Sequence, residues 1–238
     1  MNIALIGYGK MGKAIEETAV QRGHTIVLKI DENNLVDFNA DKIAKADVAI
    51  EFTGPHTALD NIKKAIGFTI PLVCGSTGWT ERMDEVNQLV QEKKGTFLYA
   101  SNFSIGVNIF FEVNKKLAAL MAPHKEYEVI LEEVHHTQKK DAPSGTAITL
   151  AEQVLNEIKR KKRWVNELSD NPEDLEIISQ REDPAPGTHH VKYSSAVDDI
   201  EIIHTAHNRK GFAAGAVLAA EFIKDKKGIF SMKDVLGL

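Results

Sequence analysis

The chain has 238 residues, with 29 Lys and Arg against 34 Asp and Glu for a formal net charge of −5, and is 43% hydrophobic and 26% charged. This is globular composition, enough for one large domain or two small ones and unlike a disordered or fibrous chain. The single cysteine, Cys74, excludes an intrachain disulfide and suits a reducing compartment, so a cytoplasmic location is expected. No apolar run approaches the ~20 residues of a membrane span, and Met1–Ile6 lacks the marks of a signal peptide and reads as a first strand. The mild negative charge argues against a nucleic-acid backbone binder.

Along the first hundred residues, short apolar runs alternate with amphipathic segments. Asn2–Ile6, Thr25–Ile30, Val48–Phe52, Leu72–Cys74 and Phe97–Ala100 are too short for helices and read as buried strands. Met11–Gln21, Thr57–Ile66 and Glu81–Lys93 carry helical spacing, and only Leu35 to Asp47 follows neither period. Strand–helix alternation of this kind implies a parallel sheet with helices on both faces.

The pattern then changes. Ile105–Met121 reads as one long helix, Tyr127–His135 as a strand and Thr146–Ile158 as a helix. Leu175–Ser179, His190–Ser194 and Ile200–Thr205 follow as strands without helices between them, which implies a mixed or antiparallel sheet in an α+β module. An Ala-rich helix, Phe212–Ile223, leads to the tail Gly228–Leu238. The basic run Lys159-Arg160-Lys161-Lys162-Arg163 falls at the end of the helix that begins at Thr146. There it is expected to face water and complement the helix dipole.

Gly7-Tyr8-Gly9-Lys10-Met11-Gly12 is a G-x-G-x-x-G turn between a strand and a helix. Gly7 permits the tight turn, Gly9 lets a pyrophosphate approach the backbone at the helix start, and Gly12 allows close helix–strand packing. Asp31 ends the second strand, where a carboxylate accepts hydrogen bonds from an adenine-ribose diol. The same segment also fits a nucleotide-triphosphatase loop, but Ala14 follows Lys13 where that chemistry needs a Ser or Thr on magnesium. A nicotinamide dinucleotide, NADH or NADPH, is therefore the expected cofactor. Asp31 and Glu32 would repel a 2′-phosphate, so NADH is expected to be preferred, unless Lys10, Lys13 or Lys29 reaches round to relieve the repulsion.

The densest polar cluster runs from His135-His136 through Lys139 and Asp141 to Pro143-Ser144-Gly145-Thr146, between a strand and a helix. Ser144 is an N-cap type of residue. With Gly145 and Thr146 it offers hydroxyls and N–H groups to a carboxylate, with Lys139 adding positive charge. His135 and His136 fit a general acid, a hydrogen-bonded strand end, or more weakly, with His189, His190, His204 and His207, a metal site. No diagnostic ligand spacing supports the metal, and none is expected.

His135-His136-x-x-Lys139-x-Asp141-Ala142-Pro143-Ser144-Gly145-Thr146-Ala147 resembles the signature of the dihydrodipicolinate reductase family. Phe52-Thr53-x-Pro55, Gly75-Ser76-Thr77-Gly78, Asn102-Phe103-Ser104-Ile105-Gly106-Val107-Asn108, His204-x-Ala206-x-x-Arg209 and Gly228-Ile229-Phe230-Ser231-Met232 extend the resemblance, in order, over nearly the whole chain. It implies NAD(P)H-dependent reduction of a small cyclic imine dicarboxylate in lysine and diaminopimelate biosynthesis. By resemblance His135 is the general acid and Lys139 assists it, while His136, Ser144, Gly145, Thr146 and Arg209 bind substrate. Gly7 to Gly12, Asp31, Phe52, Thr53, Gly75, Ser76, Thr77 and Ser101 to Ser104 line the coenzyme site.

The sequence departs from the family in three places: a shorter glycine turn, Ile130 in place of an acidic residue with Glu132 and Glu133 following, and Asp183 in place of a glycine. The fold expected is a Rossmann-type doubly wound parallel sheet plus an α+β domain with a mixed sheet. Residues 1–105 and 210–238 would form the dinucleotide-binding domain, and residues 106–209 the substrate and oligomerisation domain. Closure over the substrate follows from placing coenzyme and acid on different modules, and the family resemblance implies a homotetramer. Another Rossmann oxidoreductase, such as an amino-acid dehydrogenase, and a non-catalytic dinucleotide sensor are the rival readings.

Overall fold

A computed structural model describes residues 1–208 and 210–238, and the chain divides into two compact units: Met1–Ile105 with Lys210–Leu238, and Gly106–Arg209. In the first unit six parallel strands run in the order β11-β5-β4-β3-β1-β2. These are β1 (Asn2–Ile6), β2 (Thr25–Ile30), β3 (Val48–Glu51), β4 (Leu72–Cys74), β5 (Thr96–Tyr99) and β11 (Gly228–Phe230). Their interiors are Ile, Val, Leu and Ala without alternation, as a sheet covered on both faces requires. Helices α3 (Ala58–Gly67) and α4 (Met83–Lys93) close one face around Ile62, Ile66, Val86 and Phe97. Helices α1 (Lys10–Gln21) and α7 (Lys210–Ile223) close the other around Ile15, Val48, Val73 and Val217. Small residues let α7 lie close to its neighbours: a Cβ on Gly215 would meet the carbonyl oxygen of Phe103 at 1.7 Å.

The segment from Leu35 to Asp47 that follows neither period folds as a 3₁₀ turn, Leu35–Asp37, and a one-turn helix α2 (Ala40–Ile43) capped by Asn39. The tail gains structure from its surroundings: β11 pairs with β5, and α8 (Met232–Leu236) starts with a capping box between Ser231 and Asp234.

The second unit holds a mixed sheet in the order β10-β9-β6-β8-β7: β6 (Glu128–His135), β7 (Arg163–Val165), β8 (Asp174–Arg181), β9 (Gly187–Ser194) and β10 (Asp199–Ala206). β6 runs parallel to β8 and antiparallel to β9. Helices α5 (Ile105–Met121) and α6 (Gly145–Glu157) pack against one face, where Val129, Leu131, Leu175, Ile177, Val191 and Tyr193 point inward. The opposite face carries Ile130, Glu132, Val134, Ile178, His190, Lys192 and Ile203.

The basic run differs from its expected place. The helix α6 ends at Glu157, before the run begins. Arg160 donates to the Tyr127 carbonyl oxygen, Lys161 is buried and pairs with Glu128 at 2.9 Å, and Arg163 opens β7 with its guanidinium on Asp174. Three of its five cations thus tie the strand ends together, where a solvated helix terminus was expected.

Candidate active site

In the first unit the chain changes direction between β1 and β3, the switch point where open parallel sheets bind ligands. Gly7 has φ +95°, and a Cβ there would stand 2.0 Å from the Phe52 carbonyl oxygen; one on Gly12 would stand 2.3 Å from the Gly7 carbonyl oxygen. Gly9 faces open space, which leaves its backbone accessible at the start of α1. Beside this turn lies a cleft of about 630 Å³ lined by Gly7, Tyr8, Gly9, Asp31, Phe52 and Thr53 among others. Asp31 is fixed by the turn after β2, its carboxylate accepting from the Asn33 N–H at 2.8 Å. Glu32 and Asn33 stand beside it. Lys29 is engaged elsewhere, paired with Glu16 at 2.6 Å and donating to the Tyr8 hydroxyl.

Not every residue expected at the coenzyme lines this cleft. Lys10, Met11, Gly12, Gly75, Ser76, Thr77 and Ser101 to Ser104 do not. Gly75 and Ser76 shape it from behind: a Cβ on Gly75 would strike the Phe52 ring, and Ser76 Oγ accepts from the Thr53 N–H at 2.8 Å. Phe103 is buried against Phe52, ring centroids 5.5 Å apart, and supports the floor through packing. Beneath these loops the buried Glu51 carboxylate accepts from Ser76 Oγ and the Thr53 N–H, both at 3.0 Å, and from the Cys74 thiol. Burial and the neighbouring Glu51 push that thiol well up, so it is not a nucleophile. Thr57, Asp60 and Asn61 also line the cleft. Sequence reading passed over them because they belong to the amphipathic helix α3 and its cap, with no motif of their own.

In the second unit, strand register builds the polar cluster. Glu133 pairs across the sheet with Ser179 on one side and His189 on the other, and His135 pairs with Arg181. Because alternate residues share a face, these groups continue the inward row begun by Val129 and Leu131. The Glu133 carboxylate is fully buried and accepts from Ser179 Oγ at 2.8 Å and from the Ser144 N–H at 3.1 Å. Arg181 Nη2 lies 3.5 Å away and also donates to the Asp141 carbonyl oxygen at 2.6 Å. Burial alone would raise the Glu133 carboxyl pKa, but the bonds from Ser144 and Ser179 and the charge of His135 carry it below its ordinary value.

His135 Nδ1 lies 3.5 Å from Glu133 Oε2, and its ring meets His189 edge to face at 5.1 Å. Burial lowers its pKa, Glu133 opposes this, and Lys139 and Arg181 add to the lowering, leaving it below the ordinary imidazole value. His189 is pushed down to about 4, chiefly by burial and then by His135, and is neutral at pH 7. Its Nε2 lies 3.1 Å from Ser144 Oγ.

Ser144 caps α6, its hydroxyl accepting from the Ala147 N–H at 3.2 Å. The first-turn N–H groups of α6 lack intrahelical acceptors by geometry, so this helix start suits a carboxylate. Gly145 faces open space, which leaves room for one. Lys139 reaches Asp141 at 2.6 Å, and the His136 carbonyl oxygen accepts from the Lys139 N–H at 3.1 Å. Asp183, where a glycine was expected, receives the Thr137 N–H and hydroxyl and pins the turn after β6. Arg209 lies outside the described residues.

Glu133, His135 and His189 each offer a ligand atom within 4.8 Å of the others. Donors from Ser144 and Ser179 already occupy the carboxylate, and the Arg181 cation beside it works against a metal ion. From sequence, Glu133 enters only as an acidic residue following Ile130 and His189 only in the weaker metal reading, while Ser179 and Arg181 have no expected role; strand register is what brings all four to His135.

Residues 1–103 match the family model described as dihydrodipicolinate reductase, N-terminus, and residues 106–236 the one described as dihydrodipicolinate reductase, C-terminus. A 4-hydroxy-tetrahydrodipicolinate reductase of Christiangramia forsetii is 49% identical over 99% of this chain and 98% of its own. One of Methanosarcina acetivorans is 36% identical over 99% of this chain and 89% of its own. A dipicolinate-bound dihydrodipicolinate reductase from Paenisporosarcina sp. TG-14 superposes with a TM-score of 0.77 at 23% identity, covering 97% of each chain, and shows the same fold.

Proposed function

The chain belongs to the dihydrodipicolinate reductase family, and on that footing we propose that it reduces 4-hydroxy-tetrahydrodipicolinate to tetrahydrodipicolinate with NAD(P)H. The observation that carries this reading is the buried His135, held beside Glu133 at the start of α6 where Ser144 caps the helix. A general acid and a carboxylate-binding helix start are what reduction of an imine dicarboxylate needs.

The residues of the first unit fit a dinucleotide: a turn that excludes a Cβ at Gly7 and Gly12, open backbone at Gly9 and a fixed carboxylate at Asp31. The bound nicotinamide would supply hydride. His135 holds the proton at Nε2 and delivers it to the ring carbon next to the hydride-accepting one, leaving a neutral imidazole. Lys139 offers a second positive charge once it leaves Asp141, and Ser144, Gly145, Thr146 and His136 grip carboxylate. Arg209 is assigned to the same task on the family resemblance alone.

Asp31 and Glu32, with Lys29 committed to Glu16, support a preference for NADH. The experiment is a coupled assay in which synthase-generated substrate is offered with each coenzyme. Turnover with both and a higher kcat/KM for NADH are expected. A clearly higher value for NADPH refutes the preference, and no turnover with either refutes the activity.

The uncovered face of the mixed sheet supports association of copies, and we assign a tetramer; light scattering is the test, and a monomeric or dimeric mass refutes it. Ile203 is 58% exposed there among paired charges, His190 lying 3.3 Å from both Glu132 and Glu201. No helix among the described residues is long and apolar enough to cross a membrane. The single buried thiol and the coenzyme suit the cytoplasm, where we place the reaction.

A further inference from the structure

We propose that Glu133 is a positioning residue for the acid: its carboxylate fixes His135 as the Nδ1–H form and keeps the ring chargeable, and the same carboxylate seats the start of α6. The proposal rests on the assignment of His135 as general acid and names the group through which that residue acts.

Several observations converge on it. Glu133 is fully buried, so its charge cannot be there for solvation, and a buried carboxylate is retained only where partners compensate it. Its oxygens divide between two tasks. Oε1 takes the Ser179 hydroxyl at 2.8 Å and faces Arg181 at 3.5 Å, while Oε2 faces His135 Nδ1 at 3.5 Å and His189 Nε2 at 3.7 Å. The Ser144 N–H reaches both oxygens at 3.1 Å, so one carboxylate sets the backbone from which α6 starts and the imidazole beside it. Among the described residues His135 Nδ1 makes no hydrogen bond, and the charged group that faces it is the Glu133 carboxylate at 3.5 Å, so a small approach of the two on protonation gives this nitrogen its acceptor and decides which nitrogen keeps its hydrogen.

The opposite nitrogen is left clear. Gly187, directly before the β9 residues that pair with β6, has no side chain, and a Cβ there would lie 3.0 Å from His135 Nε2. With Nδ1–H turned to Glu133, Nε2 is the atom that gives its proton away. The Nδ1–H tautomer remains after transfer, and the charge lost is the one Glu133 was balancing. Of the other groups around His135, the cations Lys139 and Arg181 oppose its protonation, while His189, with His204 beyond it in the same row, is a neutral neighbour. Asp141 is an anion but is engaged with Lys139. Glu133 is thus the main group favouring the charged acid.

The test is the pH dependence of kcat/KM in Glu133→Gln, which keeps the shape and an acceptor oxygen but removes the charge. In the unmodified enzyme kcat/KM falls as pH rises and the acid loses its proton. In Glu133→Gln that limb moves to lower pH by about one unit, costing roughly tenfold at any pH above it, with KM for coenzyme unchanged. A superimposable profile in Glu133→Gln, while His135→Gln loses activity, overturns the role of Glu133 alone. Undiminished activity in His135→Gln overturns the assignment of the acid itself. The ¹⁵N shifts of the unmodified protein decide the matter should Glu133→Gln fail to fold. Neutral His135 is expected as the Nδ1–H tautomer, and finding Nε2–H refutes the proposal.

Discussion

A Cβ at position 187 would lie 3.0 Å from Nε2 of His135 and 3.2 Å from its Cδ2. Gly187 also sits at φ +155°, where an L side chain is strained whatever the space. Gly187→Ala is therefore expected to lower kcat by tenfold or more through displacement of the ring, with NADH affinity kept. A variant with wild-type kcat would show that the imidazole tolerates the methyl group.

His135→Gln removes the proposed proton donor and should lower kcat by roughly 10²–10⁴, the usual weight of a general acid. Coenzyme affinity, read from NADH fluorescence, should stay close to that of the unmodified protein. Lys139→Ala should lower turnover and weaken substrate binding together, because it removes charge near both. Retained turnover in either variant speaks against the role given to that residue.

Asp31→Ser removes a carboxylate held toward the cleft by the Asn33 N–H. Loss of a charged hydrogen bond to a ribose diol is worth roughly 10- to 100-fold in affinity. The kcat/KM for NADH should fall while that for NADPH holds or rises. An unchanged ratio of the two would mean that Asp31 does not face the ribose.

Ser144→Ala removes the hydroxyl that caps α6 and meets His189. Loss of an N-cap costs about 1 kcal/mol, measurable as a lower midpoint of urea unfolding. KM for the dicarboxylate should rise as well if the helix start is its seat, as proposed. A fall in stability with unchanged KM would confine Ser144 to the cap.

His189 makes stability depend on pH. Its folded pKa of about 4 lies below the ordinary 6.5, so the unfolded chain binds the extra proton between these values. Stability is complete above pH 6.5 and declines as pH falls toward 4, by on the order of 3 kcal/mol in total. His189→Asn should flatten the decline in thermal midpoint across that window. An equal slope in both proteins would assign the acid sensitivity to other groups.

The fold class was legible because its signals are local. Asn2–Ile6, Thr25–Ile30 and Leu72–Cys74 are unbroken apolar runs that leave little choice of element. The strand at Arg163–Val165 was not, because a basic run with one Trp has no strand period. What makes it a strand is pairing with β8 and the Arg163–Asp174 contact across a loop. In the candidate site, the glycine turn announces its own backbone constraint, and Gly7 and Gly12 show it in the space they deny a Cβ. Glu133 stayed hidden because Glu132 beside it has the same chemistry. Only the side of the sheet separates them: Glu132 turns to His190 on the uncovered face and Glu133 to His135.

The first unit is completed by a stretch that follows the whole of the second unit in the chain. Ala213, Ala216, Val217, Ala220 and Ile223 of α7 and Met232 of α8 fill one of its two cores, and Gly228–Phe230 covers the open edge of β5. On the ribosome, residues 1–105 therefore emerge with one apolar sheet face covered by α1 alone and an unpaired edge strand, and remain so while more than a hundred further residues are added. The middle unit, whose residues are contiguous, can fold during that interval. A chain stopped short of Lys210 would carry a nucleotide turn on a half-covered sheet, an aggregation hazard whatever the quality of its site.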